Sequence, residues 1–165
     1  MITKLEDHQV FVFGSNGTGF HGAGSAGYAM FHISGNVWRT TNVPGTSTTL
    51  DKVPNGTKGY WAVKGVSRGF QEGLHGKSYA IQTVTRPGMR RSVPLDDISS
   101  QLVELWRFAE EHTQLEFLMT EIGTGYSGYT RSEMASVFED IMSKIGTPVN
   151  IRFHDYGKST DVNIT

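Results

Sequence analysis

The 165-residue chain contains no cysteine, so disulfides, thiolate zinc sites and cysteine nucleophiles are all excluded. It has no apolar run of about 18 residues that would span a membrane, and polar residues 1–9 hold no signal-peptide core. Its formal net charge of −1 argues against a nucleic-acid-binding protein, although Arg86, Arg90 and Arg91 form a local basic cluster. These features predict a cytoplasmic protein with neither membrane nor nucleic acid among its partners.

The composition is that of one globular domain. Hydrophobic residues make up 37% of the chain and charged residues 19%, which provides for an apolar core and excludes a disordered chain. No linker or internal repeat divides the sequence. Residues 1–165 are therefore predicted to form a single domain.

Glycine is abundant and unevenly distributed. The 20 glycines exceed the usual share of roughly 7%. They are concentrated in residues 14–27, 56–76 and 123–128. Because glycine weakens helices and strands, such clusters mark turns or places where the backbone approaches another group closely.

Hydrophobic patterning alternates between strands and helices. Strands are predicted at residues 10–13, 61–63, 78–83, 115–120 and 149–153, and helices at residues 23–31, 95–112 and 131–145. Residues 36–58 form a long excursion between them. This order predicts an α/β fold, a three-layer sandwich with a mainly parallel or mixed sheet.

Two of the helices have clear apolar faces. In the helix at 95–112 the face consists of Ile98, Leu102, Leu105, Trp106 and Ala109. In the helix at 131–145 it consists of Met134, Val137, Phe138, Ile141, Met142 and Ile145. Thr130 or Ser132 is expected to cap the second helix, and Gly146 to end it.

Two segments share the order of strand, glycine-rich loop and helix. The first loop covers residues 14–24 and the second covers residues 123–128. Parallel strands would bring both loops to the carboxyl edge of the sheet, where backbone N–H groups and helix N-termini bind anions. Side-chain donors come from Ser15, Asn16, Thr124 and Ser127. The loops match neither a Walker loop nor a Rossmann fingerprint, and the alternative is that both are simple tight turns.

Three motifs resemble a known family. The sequence FGSN at residues 13–16, with HGAGSA at residues 21–26, resembles the first ligand loop of macrodomains, which are ADP-ribose-binding modules. It is still more similar to a small macrodomain-like family of bacteria and phages. The middle motif EGLHGKSYAIQT at residues 72–83 and the late motif IGTGYSGY at residues 122–129 are also similar to that family. The resemblance excludes the tail and residues 33–68, a family-variable excursion.

The resemblance implies a ligand site. It implies that Asn16 contacts the distal ribose, that residues 22–24 approach it through the backbone, and that residues 123–128 wrap the diphosphate. The family's adenine-reading aspartate has no counterpart, and Gln82 replaces a proline. Tyr156 or Phe153, after the last strand, could recognise the base by stacking, and the alternative is that both are core or rim residues. The full set of candidate ligand residues is Gly14, Ser15, Asn16, His21, Gly22, Ala23, Gly24, Gly123, Thr124, Gly125, Tyr126, Ser127, Gly128, Asp155 and Tyr156.

The candidate catalytic residues are His21, Glu72 and His75. His21 could hydrogen-bond a ribose or act as a general base, and the other two could position water. The structural alternatives are that His21 braces its own loop and that the other two line the rim of theirs. Glu121 precedes the second loop and is expected to be structural, bonded to the backbone.

Together these features predict a protein that binds ADP-ribose or a related NAD-derived nucleotide, including cyclic forms, with neither cofactor nor metal. The resemblance to a family found in phages implies a counter-defence sponge. The alternatives are a hydrolase of ADP-ribose adducts or NAD-derived nucleotides, and an interaction protein whose glycine loops are only turns. The sequence leaves the oligomeric state open, with residues 36–60 as a candidate interface or lid.

Overall fold

The computed structural model describes residues 5–18, 21, 24–33, 38–39 and 67–153. The strands are β1 (Gln9–Asn16), β2 (Trp38–Arg39), β3 (Gly69–Gly73), β4 (Gly76–Val84), β5 (Glu116–Met119) and β6 (Ile151–Phe153). The helices are α1 (Gly24–Tyr28), which continues as a π-helical segment (Ala29–Ile33), α2 (Leu95–Glu111) and α3 (Arg131–Ile145). A 3₁₀ turn covers Gly125–Ser127. The predicted strand at 61–63 and nearly all of the excursion lie outside the described residues.

The strands form one six-stranded mixed sheet in the order β2-β3-β4-β1-β5-β6. Strand β1 pairs in parallel with β4 and with β5, and β5 pairs in parallel with β6. Strand β3 runs antiparallel to β4 and β2 antiparallel to β3. The predicted mixed or mainly parallel α/β sheet is therefore present, with two antiparallel strands added at one side.

Side chains of β1 alternate between two apolar layers, as the period of two in a strand requires. Val10 and Val12 pack into the larger cluster with α2 and α3. Phe11 and Phe13 pack into a smaller cluster with α1 and the segment after it. Helices therefore cover both faces of the sheet, which gives the three-layer arrangement.

The helix pattern of the sequence is largely confirmed. Every residue of the predicted apolar face of α2 is buried, and the buried Trp106 also donates from Nε1 to the Gly146 carbonyl oxygen at 2.9 Å. In α3 only Met134, Phe138 and Ile141 are fully buried. Ile145, at the end of the predicted apolar face, is 46% exposed, so the buried part of this face stops before the last turn.

The first predicted helix extends further than expected, because the π-helical segment carries it to Ile33. None of the helices within the described ranges has the length and apolarity that a membrane crossing requires.

Candidate functional site

The glycine loops leave adjacent strands in opposite directions. The first loop connects β1 to α1, which packs on the Phe11 face; the Phe11 and Tyr28 rings lie 5.3 Å apart. The second loop connects β5 to α3, which packs on the opposite face through Met134. Adjacent parallel strands whose connections diverge in this way leave a crevice at their carboxyl ends, where open α/β sheets bind ligands.

Thr83, near the end of β4, joins the two loops. Its Oγ1 accepts a hydrogen bond from Ser127 Oγ at 2.7 Å and lies 3.4 Å from the Ser15 carbonyl oxygen. Both hydroxyl side chains are buried. A Cβ built on Gly14 would lie 3.3 Å from Thr83 Oγ1 and 3.9 Å from Ile122 Cγ2. The two glycine loops therefore meet over one buried hydroxyl pair.

Side chains of the first loop bond to the protein itself. Asn16 Oδ1 accepts from the Thr18 amide at 3.0 Å and from Thr18 Oγ1 at 2.5 Å, an Asx turn that holds the loop. Ser15 Oγ donates to the Ser67 carbonyl oxygen. Gly17 packs so closely that a Cβ would lie 2.7 Å from the Thr85 carbonyl oxygen, so the glycine is required there. The side chains of Ser15 and Asn16 thus hold the shape of the first loop.

The second loop is built around left-handed glycines. Gly123 has φ +82°, and a Cβ there would lie 2.3 Å from Met134 Sδ of α3. Gly125 has φ +63°, with nothing within 4 Å of such a Cβ. Among the hydrogen bonds of the described residues, none uses the amide of Thr124 or Gly125 as donor. This loop therefore packs against α3 at one end and presents backbone N–H groups at the other.

The N-terminus of α3 is already occupied. Thr130 Oγ1 accepts from the Glu133 amide at 3.0 Å, and the Glu133 carboxylate accepts from the Thr130 amide at 2.9 Å, a capping box. Arg91 donates to both carboxylate oxygens at 2.9 and 2.7 Å, and this pairing lowers the pKa of Glu133 to about 2. The expectation of an open helix N-terminus for an anion is wrong at this helix, because its own acid fills it.

A third loop, residues 85–92, crosses the carboxyl end of β1. Near its start, the Gly17 amide lies 3.1 Å from both the Val84 and Thr85 carbonyl oxygens. Near its end, the Arg91 amide donates to the Ser127 carbonyl oxygen at 2.7 Å. This loop therefore touches both glycine loops. The sequence signalled it only as the arginine cluster, and its place at the site comes from the strand order.

Gln82 explains why proline is absent from the middle motif. Beyond Ala80, β4 has no β3 partner, and the Gln101 side chain takes its place. The Gln82 amide donates to Gln101 Oε1 at 2.6 Å, and Gln101 Nε2 donates to the Gln82 carbonyl oxygen at 2.8 Å. Proline has no N–H and could not make the first bond. The Gln82 side chain also accepts from Arg68, which pairs with Asp97.

Glu121 lies just before the second loop, where a bare carboxylate would repel an anion. Its Oε1 accepts from Arg131 Nε at 2.7 Å. The predicted structural role stands, but the expected bond to the backbone is replaced by this ion pair. The pair neutralises the acid beside the loop.

His21 is fully buried, and its ring packs edge-on against Phe13 with centroids 5.4 Å apart. This arrangement is the one expected for a histidine that braces its own loop.

Phe153, proposed as a base-stacking residue, packs against Trp106 and Phe138 with ring centroids 6.0 and 5.5 Å away. The structure therefore uses Phe153 in the apolar layer under α2 and α3.

Glu72 and His75 do not lie with the two loops. Register pairs Val10 with Lys77 at the start of β1 and Asn16 with Val84 at its end. The hairpin that joins β3 to β4 carries His75, whose amide donates to the Ile33 carbonyl oxygen, and it lies at the start of β4. The glycine loops lie at the far end of this nine-residue strand. The structure therefore does not bring this pair to the crevice.

Four candidate ligand residues fall outside the described residues, namely Gly22, Ala23, Asp155 and Tyr156. Of the predicted ligand set, the structure brings together Gly14, Ser15, Asn16, Gly123, Thr124, Gly125, Ser127 and Gly128. Within the described ranges, no cluster of histidine and acidic side chains has the arrangement of a metal site. Comparisons with protein-family models, curated proteins and solved structures found no match for this chain.

Proposed function

We propose that this chain is a macrodomain-like binding module for a diphosphate-bearing nucleotide of the ADP-ribose type. The observation that carries the proposal is that the two glycine loops, at the carboxyl ends of the adjacent parallel strands β1 and β5, meet at Thr83. Ligands of open α/β sheets bind at such positions.

The second loop offers the groups that a phosphate needs. The amides of Thr124 and Gly125 are not used as donors within the described residues, and backbone N–H groups of this kind bind anionic oxygens. The Glu121 carboxylate nearby is neutralised by Arg131. An anionic ligand at this loop would therefore find backbone N–H donors, and the nearby Glu121 carboxylate, paired with Arg131, would not repel it.

The glycines of the second loop suit both a turn and a ligand site. Gly123 is required because Met134 fills the space that a Cβ would take. Gly125 has a left-handed backbone, which by itself favours glycine, and nothing lies within 4 Å of a Cβ built there. This open space leaves room for a ligand to approach the backbone closely.

Binding without turnover is the proposed activity, in keeping with a protein that sequesters its nucleotide. The candidate acid and base Glu72 and His75 belong to the opposite end of β4. His21 is buried against Phe13. Neither arrangement favours the hydrolase alternative.

Calorimetric titration with ADP-ribose tests the proposal, with Gly125→Glu as the disrupting variant. A carboxylate close to the bound phosphate is expected to weaken binding at least about fivefold, since like charges about 4 Å apart repel by about 1 kcal/mol even in water. The matched control is Gly146→Glu. Gly146 also has positive φ and open surroundings, but it lies past the far end of α3.

The control variant adds the same charge at another glycine of positive φ, so it is expected to bind as the unmodified protein does. No heat from the unmodified protein with ADP-ribose at about 1 mM, equivalent to a binding free energy weaker than about −4 kcal/mol, would contradict the proposal. Equal weakening by both variants would show that the effect does not come from the loop.

A further inference from the structure

The third loop is fixed above the second by Arg91. This residue has a left-handed backbone with φ 54°, an uncommon conformation for any residue other than glycine. Its amide bonds the Ser127 carbonyl oxygen, its guanidinium pairs with Glu133, and Cζ lies 4.9 Å from the Tyr129 ring centroid. These contacts hold the strained backbone in place, and strain of this kind concentrates at functional sites.

The contacts of Arg91 also determine the position of Arg90, the residue before it in the loop. Arg90 Nη1 donates to the Gly125 carbonyl oxygen at 3.1 Å. The Arg90 side chain also lies along Gly128, where a Cβ would come within 3.0 Å of Arg90 Cβ and 3.3 Å of its Cζ and Nε. The second loop thus holds the guanidinium at its own rim, and the missing side chain of Gly128 makes room for it.

No carboxylate within the described ranges neutralises the charge of Arg90. Arg68, Arg91 and Arg131 pair with Asp97, Glu133 and Glu121 respectively. Among the described residues, no carboxylate pairs with Arg90, whose one hydrogen bond is to the Gly125 carbonyl oxygen. A guanidinium has five N–H donors, so most of its donors are available to an acceptor outside the chain.

We propose that Arg90 is a phosphate-binding residue of this site. The proposal rests on the proposed function and deepens it, because it assigns the ligand's anionic group to the rim formed by Arg90 and residues 123–128. Guanidinium groups bind phosphate oxygens in a forked geometry that a lysine ammonium cannot match. The ligand class is therefore a phosphate ester or diphosphate, and an uncharged nucleoside is expected to bind far more weakly.

The experiment compares Arg90→Gln with Arg86→Gln by calorimetry, using ADP-ribose and, separately, inorganic pyrophosphate. Arg86 belongs to the same loop and is also exposed, but its side chain makes no hydrogen bond or ion pair in the described part of the chain, so its variant controls for net charge. Loss of a charge-assisted bond is expected to weaken ADP-ribose binding about tenfold in Arg90→Gln, with less than about a twofold change in Arg86→Gln.

Salt dependence provides a readout that a structural role would not change. Affinity of the unmodified protein is expected to fall with added NaCl, and the slope is expected to be smaller in Arg90→Gln. Arg90→Lys keeps the charge but loses the forked geometry of the guanidinium, so its salt-dependence slope is expected to lie between those of the unmodified protein and Arg90→Gln. Unchanged thermal unfolding temperatures would show that all variants remain folded.

Equal ADP-ribose affinity in Arg90→Gln and the unmodified protein would overturn the assignment, as would equal losses in both glutamine variants. If the unmodified protein binds pyrophosphate but not ADP-ribose, and Arg90→Gln loses pyrophosphate, the nucleotide proposal fails while the Arg90 assignment stands. Binding of neither ligand overturns both.

Discussion

Replacing Thr83 by valine tests the junction between the two glycine loops. Valine has nearly the same shape as threonine but puts a methyl group where Oγ1 accepts the Ser127 hydroxyl at 2.7 Å. The 3.4 Å contact from Thr83 Oγ1 to the Ser15 carbonyl oxygen is at the outer limit for a hydrogen bond and contributes little. The variant therefore removes one good hydrogen bond at nearly constant volume.

The expected loss follows from burial. Thr83 is 3% exposed and Ser127 is 6% exposed, so water cannot easily replace the missing acceptor. A buried donor left unsatisfied costs about 1–3 kcal/mol, so Thr83→Val is expected to lower the free energy of unfolding by that amount. Ser127→Ala leaves Thr83 Oγ1 with its contact to the Ser15 carbonyl oxygen. This variant is therefore expected to lower the free energy of unfolding by only about 0.5–1.5 kcal/mol.

The double variant separates the hydrogen bond from other effects. With both hydroxyls removed, neither side chain of the pair is left with an unsatisfied polar group, so the combined loss is expected to be smaller than the sum of the single losses by about 1 kcal/mol. Urea unfolding followed by tryptophan fluorescence measures all four free energies, because the buried Trp106 reports on the packing of α2. If the single losses instead add within about 0.3 kcal/mol, the two hydroxyls do not interact, and the described link between Thr83 and the second loop is wrong.

Two further predictions concern the second loop and its anchor. Gly125→Ala is expected to lose about 1 kcal/mol from its left-handed backbone, whereas Gly123→Ala, which also meets Met134 Sδ, is expected to lose about 1–3 kcal/mol more; equal losses in urea unfolding would contradict the packing described. The depressed pKa of Glu133, caused chiefly by its hydrogen bond from Arg91, contributes stability that is present above about pH 4.5 and lost as pH falls through about 2. Glu133→Gln is therefore expected to be less stable than the unmodified protein at pH 7 and to approach it near pH 2, and a pH-independent difference would rule this out.

Residues whose structure depends on near neighbours could be predicted from the sequence. Helix α3 runs over the predicted residues because its start and stop signals, Thr130 and Gly146, act within one turn of its ends. Strand β3 was not predicted, because glycine at both ends, Gly69 and Gly73, gave residues 69–73 the composition of a turn. Its pairing with β4 is a tertiary contact that overrides this local preference.

In the candidate site, too, features set by near neighbours could be predicted and contacts between distant residues could not. The glycine loops were identified because clustered glycines mark close backbone approach, but the partners of their side chains were not. The bonds from Ser15 to Ser67 and from Ser127 to Thr83 join residues more than 40 positions apart. One signal for such contacts was present in the sequence. Gln101 follows Ile98 on the apolar face of α2, and a buried glutamine there needs a partner, which the backbone of Gln82 in β4 provides.

The side chains around the two glycine loops bear on the choice between the proposed binding and the hydrolase alternative. Thr83 and Ser127 supply hydroxyl groups, and in the described part of the chain the nearby acids Glu121 and Glu133 are each paired with an arginine. A general base must reach the water that it activates within about 3 Å, directly or through one further water. The nine residues of β4 span about 26 Å at 3.3 Å per residue, which puts the hairpin of His75 out of reach. The hydrolase alternative would therefore need a base other than Glu72 or His75, whereas the proposed binding uses the amides of the second loop and Arg90 at its rim.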